Sequence, residues 1–360
     1  DLDGSNSNAA LAKLTQSPVI LVLDARGMTR GIAPLILGYQ AFDPDIRIAG
    51  VILNQLGGSR HEAKLRSVIE HYTDVRVIGG VHRHPELEII ERHLGLIPSN
   101  EEDASTSRIR QIREIISGEV DLDALLTVAD SSPLQYEPIS AVATATADRV
   151  RIAIAQDTAF GFYYPDDLIA LEQAGAELVR INTLADTSLP DVDGLFIGGG
   201  FPETQMQALS ANVAMREQVR AAIANGLPAY AECGGLMYLC RSLRWQGQHY
   251  EMTGVIPADC VMHERPQGRG YVRLRETAAM PWAGPRPDGE IAAHEFHYSA
   301  LENITEPLTF AYDVMRGAGV DGDHDGIVIN NLLASYTHMR DTRQHHWARR
   351  FVDYARRCRG

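Results

Sequence analysis

Short apolar runs alternate with amphipathic stretches of helical length along this chain, and the first three runs each end on polar residues. Pro18 to Leu23 leads to Asp24, Ile46 to Leu53 leads to Asn54, and Val75 to Val81 leads to His82 and Arg83. Between them lie two helical stretches, Ile32 to Phe42 and His61 to Tyr72. Such alternation predicts right-handed βαβ units and a parallel sheet buried on both faces. Ligands on sheets of this kind sit at the carboxyl ends of the strands, so Asp24, Asn54, His82 and Arg83 mark the edge to watch.

A helix is predicted over Ser105 to Ile116. The stretch 130–148 is small, polar and punctuated by proline, and reads as an interdomain linker. A second α/β pattern follows it. Its strands are predicted at Arg151 to Ala155, Leu178 to Ile181, Gly194 to Ile197 and Leu227 to Ala231, with a further run at Gly326 to Ile329. Its helices are predicted at Pro165 to Ala174, Met206 to Asn225 and Leu236 to Leu243. The arginine-rich tail, Arg340 to Gly360, reads as a solvated helix face. At roughly 150 residues per domain, a chain of 360 residues divides into two. The expected division is 1–129, a linker over 130–148, and 149–360.

Composition excludes several classes. Lysine and arginine number 33 against 47 acidic residues, a formal charge of −14, which argues against broad neutralisation of nucleic-acid phosphates. No run approaches the ~18 apolar residues of a membrane span, and no signal-peptide pattern opens the sequence. The four cysteines, Cys233, Cys240, Cys260 and Cys358, are too scattered for a disulfide scaffold or a zinc ribbon. A reducing, cytoplasmic setting is the expectation, and with it the chance that one cysteine is a nucleophile.

That cysteine is Cys233. It sits in Ala231-Glu232-Cys233-Gly234-Gly235, between a predicted strand and a predicted helix. A nucleophile on so tight a turn is held exposed, and small neighbours permit the strained backbone. Gly198-Gly199-Gly200, one strand earlier, can bring backbone N–H groups close to a ligand oxygen. With the amide of Gly234 they would form an oxyanion hole. The candidate bases are His294, His297 and His338. His263, Arg265, Arg269 and Arg273 could supply local positive charge for an acidic substrate, or form a solvated loop.

Several motifs together carry a resemblance. They are DGLFIGGGFPE (193–203), YAECGGLMYL (230–239), HEFHYS (294–299) and SYTH (335–338), with LDARGM (23–28), AGVILN (49–54) and ERHLGL (91–96) in the first half. They resemble the cobyrinic acid or hydrogenobyrinic acid a,c-diamide synthase family, over nearly the whole chain. The resemblance implies a P-loop-type, dethiobiotin-synthetase-like ATPase domain followed by a flavodoxin-like class I glutamine amidotransferase domain. It implies a ligase using ATP and Mg2+ that amidates the a and c carboxylates of a corrin acid in cobalamin biosynthesis. The substrates are small molecules, with no nucleic acid or membrane partner, and a homodimer is left open. Nickel sirohydrochlorin as substrate, or a glutamine-binding regulatory remnant without ligase activity, are the alternatives.

By the same resemblance, Cys233 is the nucleophile and His338 its base. Gly199, Gly200 and Gly234 bind the glutamine oxyanion, and Glu295 and His297 serve the substrate pocket or support it. Asn54 and Arg83 contact the nucleotide. Many class I relatives carry a Glu two residues after the catalytic histidine, where this chain has Arg340, so no third member of the site is expected. The family's Gly-rich phosphate loop and its Glu-Gly-x-x-Gly-Leu-x-Asp-Gly segment do not occur in the sequence. The first domain is therefore expected to be truncated at its amino terminus, with the magnesium ligands lying upstream. On that expectation, these residues alone would hydrolyse glutamine without forming the diamide.

Overall fold

The computed structural model describes residues 2–88, 102–132, 148–282 and 289–359. It divides into two compact units, one of residues 1–97 and 101–139, the other of 98–100 and 140–360. Most of the expected linker and the ERHLGL motif lie outside the described residues.

The first unit runs α1 (Asn8–Leu14), β1 (Val19–Asp24), α2 (Ile32–Phe42), β2 (Ile48–Leu56), α3 (Ser59–Tyr72), β3 (Val77–His82), α4 (Glu102–Glu119) and α5 (Leu122–Asp130). Its three strands form a parallel sheet in the order β1-β2-β3. Successive residues of a strand point to opposite faces. Val51 and Leu53 accordingly join one core with Ile32 and Ile36 of α2 and Leu65 and Ile69 of α3. Ile52 turns to the other face, against Ile78, Val81, Val120 and Ala124. Helices cover both faces, as the apolar runs required.

The second unit begins β4 (Val150–Ala155), β5 (Phe160–Phe162), α6 (Pro165–Gln173), β6 (Ala176–Ile181), β7 (Gly194–Ile197) and β8 (Gly199–Gly200). It continues α7 (Met206–Ala211), α8 (Val213–Ala224), β9 (Ala229–Glu232), α9 (Gly234–Leu239), β10 (Cys240–Trp245), β11 (Gln248–Glu251), β12 (Ile256–Met262) and β13 (Gly268–Glu276). It closes with β14 (Ile291–His297), β15 (Ser299–Glu302), β16 (Thr309–Arg316), β17 (His324–Ile329), β18 (Leu332–Ser335) and α10 (Trp347–Cys358).

A nine-stranded sheet orders these β14-β13-β16-β17-β18-β9-β7-β4-β6. From β18 through β6 every pairing is parallel, and from β14 to β18 every pairing is antiparallel. The parallel half alternates faces residue by residue. Leu195, Ile197, Ala229, Ala231, Leu332 and Ala334 meet α7, α8 and α9. Phe196, Tyr230 and Leu333 meet α6 and α10, where Tyr230, Trp282, Trp347 and Phe351 form an aromatic cluster.

Three local readings are corrected. The helix expected over Leu236 to Leu243 ends at Leu239, and Cys240–Trp245 is a strand. Gln246 and Gly247 both take left-handed φ (50° and 74°), a two-residue hairpin turn that pairs Trp245 with Gln248. The helix expected over Met206 to Asn225 is broken at Asn212, whose side chain accepts from Met215 N at 3.3 Å and caps α8. The tail is not simply a solvated face. Its helix buries Trp347, Phe351, Val352 and also Arg350, whose guanidinium pairs with Glu276 and donates to the Trp282 carbonyl at 2.9 Å. An arginine adds nothing to an apolar periodicity, so only the partner reveals its burial.

Candidate active site

All of β9 is buried, and the chain leaves it at Cys233 with φ 48° and ψ −99°. Only glycine adopts this left-handed region without penalty, and a residue with a Cβ held there marks a functional turn. The two glycines that follow are sterically required. A Cβ on Gly235 would overlap the Ile197 carbonyl oxygen, and one on Gly234 would stand 2.9 Å from Gly200 N. The turn is pinned by Cys233 N donating to Ser335 O at 2.7 Å. The Cys233 side chain is 8% exposed, and its thiol points toward the Phe296 carbonyl at 3.9 Å.

The histidine comes from the neighbouring strand. β18 pairs with β9 in parallel, Ser335 opposite Glu232, so Cys233 and Tyr336 leave the sheet on the same rung. Asp325 shapes the departing segment, accepting from Tyr336 N and Thr337 N at 3.0 Å each. His338 then exchanges backbone hydrogen bonds with His294, at 2.8 and 3.3 Å, which ties it to β14. The two imidazoles stack at 5.1 Å, and Phe162 meets the His338 ring edge-on. His338 is 4% exposed. Burial works against its charged form, but hydrogen bonding to Cys233 and Glu232 outweighs it and raises the pKa to about 10.

Glu232 was not among the expected site residues. Its carboxylate lies 3.5 Å from His338 Nδ1, accepts from the Tyr230 hydroxyl at 2.5 Å, and accepts from Met339 N at 3.0 Å. A carboxylate therefore lies beside His338, where the sequence led us to expect none. A signal was present in the sequence, since Tyr230 and Glu232 are two apart on one strand and must share a face. Arg340, two residues past His338, points elsewhere, pairing with Asp166 at 3.1 Å and lying 4.1 Å over the Tyr164 ring.

The glycine run completes the surroundings. Gly199 and Gly200 pair with Phe162 and Phe160 across the short β5–β8 ladder. A Cβ on Gly199 would reach 2.7 Å from His338 Cε1, and one on Gly200 would overlap the Ala159 carbonyl. Gly199, Gly200, Gly234, Cys233 and His338 thus gather at the carboxyl ends of β7, β9 and β18.

Glu295 and His297 flank Phe296 but turn away from the thiol. Glu295 accepts from Ala318 N at 2.7 Å and Gly319 N at 2.9 Å, and His297 bonds the Ser299 carbonyl while stacking on Tyr336 at 3.9 Å. Both are buried and brace the strand that carries Phe296. Of the basic group, His263 lies 3.8 Å from Glu302, and Arg269 lines a 370 Å³ recess with Tyr271 and Arg316. Cys240 and Cys260 are buried in the core and Cys358 is exposed, away from this turn.

In the first unit, Asp24 and Asn54 are register partners at the carboxyl edge of the sheet, and Arg83 N donates to Leu56 O at 3.2 Å. The Asp24 carboxyl is held below its ordinary range by hydrogen bonds from Arg26, aided by the charge of Arg83. His82 and His84 both bond Glu119, at 2.8 and 3.1 Å. Among the described residues, no group of His, Cys, Asp and Glu is arranged to hold a metal, and no helix is long and apolar enough to cross a membrane.

Comparison with known proteins gives one family match within each unit. Residues 151–344 match the CobB/CobQ-like glutamine amidotransferase domain, and residues 2–90 match an AAA domain. The cobyrinate a,c-diamide synthase of Magnetococcus marinus is 43% identical over 354 residues, covering 97% of this chain and 75% of that protein. Those of Methanosarcina acetivorans and Archaeoglobus fulgidus are 40% and 39% identical, covering 99% and 97% of this chain and 76% and 75% of theirs. With two domain matches and likeness of this order over nearly all of its own residues, the chain belongs to the cobyrinate a,c-diamide synthase family, the glutamine-dependent amidating ligases of cobalamin biosynthesis.

Proposed function

We propose that this protein converts the a and c carboxylates of cobyrinate to amides, using ATP and ammonia released from glutamine at Cys233 and His338. The observation that carries the reading is the strained Cys233 turn, one sheet rung from the segment that carries His338. With the shared proton held on His338, the Cys233 sulfur is a thiolate, and it adds to the glutamine carboxamide carbon. Gly200 and Gly234 amides face the oxygen that gains charge. The imidazolium returns its proton to the amide nitrogen as the C–N bond breaks and ammonia leaves. Water, deprotonated by the same imidazole, then hydrolyses the thioester, releasing glutamate and restoring the thiol.

In this reading residues 149–360 form the glutaminase part and 1–129 the synthetase part. ATP with Mg2+ supplies the phosphoryl group that makes a carboxylate oxygen a leaving group. At the edge of the first unit, the Asn54 amide and the exposed Arg83 fit the base end of a nucleotide. The described residues there offer no lysine in a glycine-rich loop, and no phosphate-handling step is assigned to them. Metal-free or cobalt-bearing corrin acids are both compatible with it.

Glutamate release from glutamine should fall to background in Cys233→Ala. Glutamate release by Cys233→Ala at the wild-type rate would sink the assignment of the thiol.

A further inference from the structure

Glu232 is buried, at 4% exposure, yet it is a carboxylate at the end of an otherwise apolar strand. A buried carboxylate persists only where donors meet it. One oxygen, Oε1, receives both the Tyr230 hydroxyl and Met339 N. That leaves Oε2 aimed at the imidazole, 3.5 Å from His338 Nδ1. Nδ1 is itself buried, and among the described residues no closer partner meets it. The same side chain therefore grips the backbone just after His338 and faces its ring. Phe162, His294 and Cys233 also lie beside the ring, and none of them is a carboxylate.

We propose that Glu232 is the positioning residue for His338, doing from the nucleophile's own strand what an acid two residues after the histidine does in other enzymes of this chemistry. It accepts a hydrogen bond from Nδ1–H, which turns Nε2 toward the thiol, and it stabilises the imidazolium that carries the shared proton. The inference rests on the reading of Cys233 and His338 as the reacting pair. Its physical logic is that two adjacent residues on one strand end point to opposite sides. Cys233 turns toward the substrate side, while Glu232 passes behind to reach the base.

The decisive variant is Glu232→Gln. It keeps an acceptor oxygen for Tyr230 and Met339 N but presents an N–H to Nδ1, favouring the wrong tautomer. Glutaminase kcat should fall by about 10²- to 10⁴-fold at neutral pH, as when the buried carboxylate of a comparable triad is made an amide, with the KM for glutamine within a few-fold. The pH profile of Cys233 alkylation by iodoacetamide should move to higher pH, which a merely structural role would not cause. Glu232→Asp should recover part of the rate. A kcat within about threefold of wild type and an unmoved alkylation profile in Glu232→Gln would overturn the proposal. Should that variant fail to fold, Glu232→Ala with the wild-type alkylation profile would overturn it equally. The two readings part cleanly. If Cys233→Ala still releases glutamate, the reacting pair itself is misassigned. If it does not, and Glu232→Gln is unaffected, only the role of Glu232 fails.

Discussion

Cys233 is held in a backbone conformation that its own Cβ disfavours. A non-glycine residue in such a region costs on the order of 1–3 kcal/mol, recovered from the structure around it. The surroundings are evident: Cys233 N bonded to Ser335 O, and two glycines jammed against the Ile197 and Gly200 backbones. Two substitutions that both remove the thiol should therefore differ in stability. Cys233→Gly should melt above Cys233→Ala, by an amount equivalent to about 1 kcal/mol, because glycine relieves the strain while alanine retains it. Equal melting temperatures would show that the turn is not strained. The nucleophile was legible in the sequence because strand, cysteine and paired glycines are contiguous. Glu232 sat in the same motif, but its role depends on a histidine that the fold brings to it.

Between residues and fold, the elements that aim His338 are as exposed to mutation as the site itself. Asp325, on β17, satisfies two backbone N–H groups of the segment between β18 and His338. Asp325→Ala should destabilise the protein by about 3 kcal/mol, since each stranded N–H costs roughly 1–3 kcal/mol, and should lower glutaminase activity with it. Urea denaturation with parallel assay measures both, and loss of neither would remove Asp325 from the support of the site. On α10, Arg350→Ala would leave the Glu276 carboxylate buried and unpaired, at a cost of about 3–5 kcal/mol. Replacement of Arg350 and Glu276 together by apolar residues should recover most of that loss by the same denaturation measurement, and failure to recover would show packing, not charge, to be the cause.

The strands and helices of the parallel core were readable because buried strands are short apolar runs and their helices amphipathic. Of the antiparallel extension only β17 was. Strands such as Gly268–Glu276 and Thr309–Arg316 carry charged residues on an open face, and their pairing partners lie far along the chain. The Gln246-Gly247 turn was a local clue, masked by a helix-like run before it.

At the scale of the whole molecule, stability should respond to pH from both sides. His338 has a folded pKa of about 10, against an ordinary value of 6.5. Its contribution is complete below about 6.5 and is lost as the pH rises through 10. His345 is the converse. Burial, reinforced by Arg350, lowers it to about 4, so its contribution is present above 6.5 and is lost as the pH falls through 4. Melting curves between pH 4 and 10 should show His345→Gln flattening the acid side and His338→Gln flattening the alkaline side. Curves parallel to wild type across both ranges would refute the assignment.

The rung shared by Glu232 and Ser335 has one more consequence. In the chain, Cys233 and His338 are 338 − 233 = 105 residues apart, and that excursion contains the whole four-stranded sheet of β10, β11, β12 and β15. In space, their nearness is set by the spacing of two adjacent strands, about 4.8 Å. The β10–β12 part of that segment can lengthen or shorten without altering the meeting of thiol and imidazole, whereas Asp325 and the strand carrying His294 cannot change. Linear distance is thus the wrong ruler for this pair. A nucleophile and base on neighbouring parallel strands form a hinge-free vice, and evolution can decorate what lies between its jaws wherever it does not brace them.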